Sequence, residues 1–153
     1  MNELGPYSFE MEGWISCAPF EKLLNIEILE AKNGKATLRM PFFKQYAQGA
    51  GLMHGGVLVS LADTAVVMAI KSILEEGTHF ATIKMDAEFL KPVKKGYVTA
   101  KAWIERDPKN NRIIKGYSEV FNGKEKVFLF NSIFKIARDA KIKNIKFLKE
   151  SPV

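Results

Sequence analysis

A glycine-rich loop that leads directly into a long apolar segment constrains this chain more than any other feature. Four glycines fall within residues 49–56, and residues 57–70 contain only three polar side chains. Such an apolar segment predicts a helix that is surrounded by other structure. Glycines at its start allow a tight turn and leave backbone N–H groups that, together with the helix dipole, favour a developing negative charge. We expect this central helix to end near residues 75–77, with Gly77 as its C-cap.

An acidic residue, Asp63, stands in the middle of the predicted helix. An ionised carboxylate is costly to bury unless it is paired or hydrogen-bonded, so Asp63 either has a structural partner or is kept for chemistry. An anion-stabilising helix start and a buried acid on one element are typical of an enzyme.

The bulk composition predicts a single domain over residues 1–153. The chain is 47% hydrophobic and 26% charged, and its single cysteine, Cys17, excludes an internal disulfide framework. Because the amino terminus lacks the basic and apolar blocks of a signal peptide, we expect a cytoplasmic protein. Residues 57–70 are shorter than the roughly 20 apolar residues that a membrane span needs, so we expect no membrane association.

The formal charge of +6 is unevenly distributed. Acidic residues are concentrated in residues 1–34 and basic residues in residues 135–153. The domain is therefore divided into a lead-in segment (1–24), a body and a basic C-terminal tail (138–153). Such a tail either attracts a polyanion or a phosphorylated ligand or is simply solvated. Nucleic-acid binding is disfavoured because the tail has few interleaved aromatic residues.

Hydrophobic periodicity predicts the other elements. Residues 6–24 indicate a short helix or a turn-rich lead-in, and Asn33-Gly34 between two short apolar runs predicts a β-hairpin. After His79 the pattern changes to period two. It predicts a four-strand meander over residues 82–90, 97–105, 112–121 and 126–137. The predicted fold class is α+β, a curved antiparallel sheet of about six strands wrapped around one long central helix.

Exposed sheet edges predict self-association. The last strand is long and apolar, with Phe128, Phe130, Ile133 and Phe134. One helix cannot cover both edges of six strands, and natural proteins cover or pair such edges. We therefore expect a symmetric homodimer that continues the sheet across a two-fold axis.

Several classes of site are absent from the sequence. It has no dinucleotide-binding glycine motif, no phosphate-binding P-loop and no Cys-x-x-Cys pair. Its two histidines, His54 and His79, lie 25 residues apart with no acidic ligand set beside them. A metal site is therefore not expected. A relay of Ser60, His54 and Asp63 is disfavoured, because Ser60 lies inside the helix rather than on a sharp turn.

Residues 48–63, Gln-Gly-Ala-Gly-Leu-Met-His-Gly-Gly-Val-Leu-Val-Ser-Leu-Ala-Asp, closely resemble the His-Gly-Gly…Asp signature of hotdog-fold acyl-CoA thioesterases of the phenylacetate-degradation (PaaI-like) type. Residues 81–92 resemble the family's next strand, and the resemblance covers about residues 20–137. It implies a hotdog fold, a homodimer or a homotetramer built as a dimer of dimers, and hydrolysis of acyl-CoA to a free carboxylic acid and CoA. No cofactor is implied.

The resemblance also implies roles for single residues. Gly55 would donate its backbone N–H to the thioester carbonyl oxygen, and Asp63 would be the nucleophile or general base. Gln48 matches a position that polarises the carbonyl or holds water, and Thr82 matches one that orients the attacking water. His54 would brace the loop through hydrogen bonds.

Substrate binding is assigned to Gly56 beside Gly55 and to basic residues that could meet the phosphates of CoA. These basic residues are Lys84, Lys91, Lys94, Lys95 and Arg138. Glu88 departs from the family pattern, which more often has an uncharged residue there. If Glu88 faced the pocket, it would raise the pKa of a neighbouring acid.

Two other functions remain open at this point, a non-catalytic acyl-CoA binding or sensing domain and a hotdog dehydratase or hydratase. The retained Asp63 argues against the first, and the Met53-His-Gly-Gly spacing does not suit the second. The acyl group, and the choice between CoA and an acyl carrier protein, do not follow from the sequence.

Helix geometry predicts that the active site is shared between protomers. Gly55 and Asp63 are eight residues apart, so their backbones lie roughly 12 Å apart along a helix that rises 1.5 Å per residue. One thioester carbon cannot reach both groups. We therefore expect the oxyanion donor and the acid of one site to come from two copies of the helix.

Overall fold

The computed structural model describes residues 4–138, which form one six-stranded antiparallel sheet around a central helix. This architecture confirms the predicted hotdog fold. Most of the basic tail, residues 139–153, lies outside the described residues. In chain order the elements are α1 (Pro19–Leu23), β1 (Glu27–Lys32), β2 (Lys35–Pro41), a short 3-10 turn (Lys44–Tyr46), α2 (Gly55–Lys71), β3 (Phe80–Phe89), β4 (Tyr97–Arg106), β5 (Ile113–Asn122) and β6 (Glu125–Ile136).

The predicted hairpin is confirmed as β1 and β2. Asn33 and Gly34 form its two-residue turn with φ angles of 52° and 77°. Positive φ at both central positions gives the turn a twist that matches that of the flanking strands, and Asn-Gly adopts this conformation most readily. The two strands pair antiparallel up to Lys32 opposite Lys35.

The predicted four-strand meander is wrong for its first strand. The sheet order is β1-β2-β4-β5-β6-β3, so β4, β5 and β6 form a meander while β3 pairs with β6 at the far edge. The connection from β3 to β4 is not a hairpin turn, because Val93 is buried there and its carbonyl accepts a hydrogen bond of 2.9 Å from the Met53 N–H. The seven residues between the strands can span roughly 23 Å. This exceeds the three strand spacings, roughly 14 Å, that the connection must cross.

The sheet order also changes which strand forms the edge. The aromatic residues of β6 are buried against α2 because β6 is an inner strand between β5 and β3. The edge is β3, whose apolar side chains Ile83, Met85 and Phe89 are exposed. An exposed apolar edge is still present, as predicted, but on a different strand.

The central helix α2 begins where predicted and ends earlier. It packs on β1, β2, β4, β5 and β6 and buries nine residues, from Leu58 to Ile70. It ends at Lys71 and not near residues 75–77, so Gly77 is not its C-cap. The last carbonyl groups are bound by side chains instead, because Trp14 Nε1 donates to the Lys71 carbonyl at 3.0 Å and Ser72 Oγ donates to the Ala69 carbonyl at 2.6 Å. A glycine cap is therefore unnecessary.

The lead-in segment runs across the side of α2 that the sheet leaves uncovered. The Lys71 ammonium donates to the Trp14 carbonyl at 3.1 Å and lies 4.7 Å from the centre of the Trp14 ring. The segment then forms the short helix α1, in agreement with the predicted helix or turn-rich lead-in. Within residues 4–138, no helix is both long enough and apolar enough to cross a membrane.

Candidate active site

The start of α2 presents one backbone N–H group that has no partner among the residues the structure describes. His54 is the N-cap, and its Nδ1 atom accepts a hydrogen bond of 2.9 Å from the Gly56 N–H. The His54 N–H itself donates to the Tyr46 carbonyl at 2.8 Å, which anchors the loop. Within residues 4–138, the Gly55 N–H donates to no acceptor. Because this group lies at the positive end of a 17-residue helix, it can bind an oxyanion.

An aromatic ring explains why glycine occupies position 55. A Cβ atom on Gly55 would lie 2.8 Å from Phe89 Cε1 and 3.2 Å from Phe89 Cζ. The Phe89 ring, at the end of β3, also meets the Phe128 ring edge-on at a centroid distance of 5.0 Å. The sequence pattern predicts no role for Phe89, although Phe89 lies within residues 81–92, next to Glu88. Its contact with Gly55 depends on the pairing of β3 with β6, for which the sequence gives no local signal.

The second feature of the site is the pair formed by Asp63 and Thr82. Thr82 Oγ1, near the start of β3, donates a hydrogen bond of 2.9 Å to Asp63 Oδ1. Within the described chain, the second carboxylate oxygen has no hydrogen-bond partner, so it is free to act on a ligand. Asp63 is half-buried, on the side of α2 that approaches the start of β3.

The surroundings of Asp63 make its ionised form less favourable. Burial raises the pKa of the Asp63 carboxyl above its ordinary value. The hydrogen bond from Thr82 opposes this rise because it stabilises the carboxylate, and the negative charge of Glu21 adds to the rise. A carboxylate with a raised pKa is a stronger base than an ordinary aspartate, as a general base requires.

Gln48 lies in the glycine loop, and its side chain closes the loop's own turn. Gln48 Oε1 accepts a hydrogen bond from the Ala50 N–H, and the Gln48 backbone binds Leu52 and Gly51. The side-chain nitrogen donates to no atom among residues 4–138, so it is available to a ligand.

The structure therefore groups the predicted residues into two separate centres. Gly55, Gly56, His54 and Gln48 gather at the start of α2, and Asp63 and Thr82 meet halfway along it. Within one chain the two centres remain roughly 12 Å apart along the helix.

Two other predicted residues lie on the opposite side of the sheet. Thr82 shares the helix-facing side with Phe134, its partner on β6. A bulge between Thr82 and Lys84 then changes the alternation, so Lys84 and Glu88 pair with residues on the outer side. Glu88 therefore points away from Asp63 and is not in a position to raise its pKa.

The remaining basic residues are exposed at the two ends of β3. Lys91 is the second residue after β3 and forms an exposed ion pair of 3.5 Å with Glu125. Lys94 and Lys95 are exposed in the same connection, next to the glycine loop that Val93 binds. Arg138 is exposed after β6, beside the start of β3.

The alternative sites considered in the sequence do not assemble. Ser60 Oγ donates to the Gly56 carbonyl at 2.8 Å, and His54 Nδ1 is occupied by the Gly56 N–H, so Ser60, His54 and Asp63 form no relay. In the described part of the chain, no three His, Cys, Asp or Glu residues are grouped as metal ligands would be.

Both the sequence and the fold are similar to those of known proteins. A family model described as the thioesterase superfamily matches residues 50–127, about half of the chain. A provisionally named esterase from Haemophilus influenzae is 38% identical over 79 residues, which cover 52% of this chain and 57% of that relative. A 1,4-dihydroxy-2-naphthoyl-CoA hydrolase from Listeria monocytogenes is 29% identical over 82 residues, or 54% of this chain and 67% of that protein. The matched segments thus span a little over half to two thirds of these relatives.

A solved structure shows the same fold over a larger part of the chain. The Escherichia coli PaaI protein from the phenylacetic acid degradation operon has a TM-score of 0.70 and 27% identity, covering 78% of this chain and 85% of that chain. The similarity therefore includes the strands around the matched segment.

Proposed function

Because the chain belongs to the thioesterase superfamily, we propose that it hydrolyses acyl-CoA thioesters to a free carboxylic acid and CoA. The observation that carries the proposal is the hydrogen bond of 2.9 Å between Thr82 and Asp63, the one acid of a largely apolar helix. Asp63 is a half-buried acid with a raised pKa, and one of its carboxylate oxygens has no partner among the described residues, so it is suited to activate water or to attack a carbonyl carbon.

The acid and the oxyanion donor have complementary roles. The Asp63 carboxylate either takes a proton from the attacking water or attacks the thioester carbon itself. Negative charge then develops on the carbonyl oxygen, and the Gly55 N–H, backed by the dipole of α2, stabilises it. His54 holds the loop in place by occupying the neighbouring Gly56 N–H. The Gln48 amide would assist at the carbonyl oxygen or hold the water.

A complete site requires two copies of the chain. The roughly 12 Å between Gly55 and Asp63 along one helix exceeds the reach of a single reacting carbon. The exposed apolar side chains of β3, which include Ile83 and Met85, favour pairing of this edge with a second β3. In such a homodimer, Gly55 of one protomer would face Asp63 of the other.

The names of similar proteins support the choice of substrate. The relative from Listeria monocytogenes is named as a hydrolase of an aromatic acyl-CoA, and the structure from Escherichia coli belongs to the phenylacetic acid degradation operon. The exposed lysines beside the glycine loop would suit the phosphates of CoA. The reaction requires no metal or redox cofactor.

The first test is the nearly isosteric substitution Asp63→Asn. We expect it to lower hydrolysis of acyl-CoA by about 10²–10⁴-fold, measured as thiol release. The fold should be retained. Because the native pKa of Asp63 is raised, ionisation favours the unfolded chain as the pH rises from the ordinary aspartate range through that raised value. The variant should therefore melt at a higher temperature than the parent at neutral pH and at the same temperature in acid.

The second part of the test mixes two inactive variants, Asp63→Asn and Gly55→Pro, under conditions that allow subunits to exchange. Proline is favoured at the first helical position. Gly55→Pro removes the N–H group and also places ring carbons against Phe89, so it should inactivate the oxyanion site. A mixed dimer would hold one intact site, and about a quarter of the parent activity should return at random exchange. Absence of activity in dimers that mass spectrometry shows to be mixed would contradict the shared site. Hydrolysis by Asp63→Asn at the parent rate would contradict the catalytic role of Asp63. Absence of thiol release from every acyl-CoA offered to the parent would contradict the proposed function.

A further inference from the structure

An apolar groove lies beside the start of α2, and the catalytic assignment does not use it. Its volume is about 380 Å³, and its apolar lining comes from Phe20, Leu23, Leu24, Tyr46 and Val57. A volume of this size is within the range of small-molecule sites. The groove therefore has room for a ligand group of moderate size.

The groove reaches the two residues on either side of the proposed oxyanion donor, Gly55. His54 and Gly56, which flank Gly55 in the chain, also line it. A thioester whose carbonyl oxygen accepts from the Gly55 N–H would therefore extend one of its two substituents into the groove. That substituent is either the acyl group or the pantetheine arm of CoA.

The chemistry of the lining distinguishes these two substituents. Among residues 4–138, no Lys, Arg, Asp or Glu lines the groove. Of its polar side chains, Ser60 Oγ is engaged with the Gly56 carbonyl and His54 Nδ1 with the Gly56 N–H, which leaves the Gln45 amide and His54 Nε2, fewer groups than two buried amides would need. The pantetheine arm carries two amides whose burial without hydrogen bonds would be unfavourable. An apolar acyl group makes no such demand and gains free energy by leaving water.

The outer wall of the groove exposes large apolar side chains. Phe20 is 54% exposed and Leu23 is 66% exposed, and α1 buries none of its residues. This wall is nevertheless fixed, because the Tyr46 hydroxyl donates to the Leu23 carbonyl at 2.9 Å. Tyr46 also accepts the His54 N–H through its carbonyl, so one residue holds both the wall and the start of α2.

From these observations we infer that the groove between α1 and α2 binds the acyl group of the substrate, and that this group is uncharged, apolar and larger than acetyl. Phe20 and Leu23 are then specificity-determining residues. This inference rests on the proposed function, since the orientation of the thioester follows from the Gly55 N–H.

The test compares a tryptophan that fills part of the groove with a tryptophan at an exposed leucine outside the groove. Leu23→Trp narrows the groove, and Leu29→Trp, at a 50% exposed leucine of β1, is the matched control. The ratio of kcat/KM for octanoyl-CoA to that for acetyl-CoA should fall about tenfold in Leu23→Trp and stay at the parent value in Leu29→Trp. An unchanged ratio in Leu23→Trp would overturn the inference, as would an equal loss of both activities.

A binding measurement separates the groove from the reaction. The thioether S-octyl-CoA cannot be hydrolysed, and its Kd should rise about tenfold in Leu23→Trp by calorimetry, with melting curves to verify folding. If the parent hydrolyses no thioester but this Kd rises only in Leu23→Trp, the proposed function fails and the groove assignment stands. If S-octyl-CoA binds Leu23→Trp and the parent equally, the groove assignment fails whatever the rates are.

Discussion

The neighbouring strands β3 and β6 are similar in length and composition, but the chain buries them to different extents. The rings of β6 are buried within the chain, whereas apolar side chains of β3 remain exposed. Phe128 of β6 and Phe89 of β3 lie directly opposite each other on the helix-facing side. Phe128 is fully buried, whereas Phe89 is 57% exposed. The difference arises because α2 lies over β6 and touches β3 chiefly through the contacts of Thr82 and Gly55.

The two strands therefore have different structural roles. The side chains of β6 form part of the core, and those of β3 approach the two centres on α2. Thr82 binds Asp63, and Phe89 covers Gly55. The exposed edge strand β3 therefore contacts both centres, as expected if a second protomer completes the two centres.

Truncating the two opposed phenylalanines should have the largest effect and should separate the two strands clearly. Phe128→Ala removes a fully buried ring and should lower the free energy of unfolding by about 3–5 kcal/mol. Phe89→Ala loses mainly an edge-on ring contact, worth about 0.5–1.5 kcal/mol. Urea unfolding at equal protein concentration measures both changes. Equal losses would show that Phe89 is as much a part of the core as Phe128.

The sequence alone could not distinguish the two strands. Both are long and apolar, and the pairing of β3 with β6 is a long-range choice that no local residue specifies. The bulge between Thr82 and Lys84 adds to this difficulty. It changes the alternation, so whether Glu88 faces Asp63 does not follow from counting residues along the strand.

Local signals, in contrast, predicted the start of α2 and the first hairpin correctly. Gly55 and Gly56, like the Asn33-Gly34 turn, determine the backbone conformation only of residues close to them in sequence. The predicted end of α2 was wrong because a residue distant in sequence caps the helix. Trp14, 57 residues away, donates a hydrogen bond to the Lys71 carbonyl. The groove beside α1 was missed for the same reason, since its lining comes from three separate segments.

The contact between Gly55 and Phe89 can be tested by adding a single carbon. Gly55→Ala retains the N–H group but places Cβ against the Phe89 ring. We expect it to lower kcat/KM by between about tenfold and a hundredfold, because the start of the helix must shift. The double variant with Phe89→Ala should recover the rate of Phe89→Ala alone.

Gly49→Ala is the matched control within the same loop, because no atom lies within 4 Å of a Cβ at that position. Its activity should stay close to that of the parent. If Phe89→Ala does not relieve Gly55→Ala, the ring is not the reason for glycine at position 55.

Removing the Thr82 hydroxyl should change the pH dependence of the reaction. The hydrogen bond lowers the pKa of Asp63, so Thr82→Val should raise that pKa further. Because the reaction needs the carboxylate, activity is lost as the pH falls through this pKa. The acid limb of the kcat/KM profile should therefore move to higher pH in Thr82→Val.

Two control variants sharpen this prediction. Thr82→Ser keeps a hydroxyl and should retain the parent profile. Glu88→Gln alters a carboxylate on the outer side of the sheet and should also leave the acid limb unchanged. A shift of the acid limb in Glu88→Gln would show that a charge on the outer side of β3 affects the pKa of Asp63.

Substitution of Glu21, on α1, should have the smallest effect, and in the opposite direction. The negative charge of Glu21 raises the pKa of Asp63, so Glu21→Gln should move the acid limb to lower pH. Glu21 acts through its charge and Thr82 through a hydrogen bond, so salt distinguishes them. At 0.1 M ionic strength charges are screened over about 10 Å, and at 1 M over about 3 Å. The shift in Glu21→Gln should therefore shrink from low to high salt, while the shift in Thr82→Val persists. A Glu21→Gln shift that is independent of salt would mean that α1 affects Asp63 through its position over the helix and not through its charge.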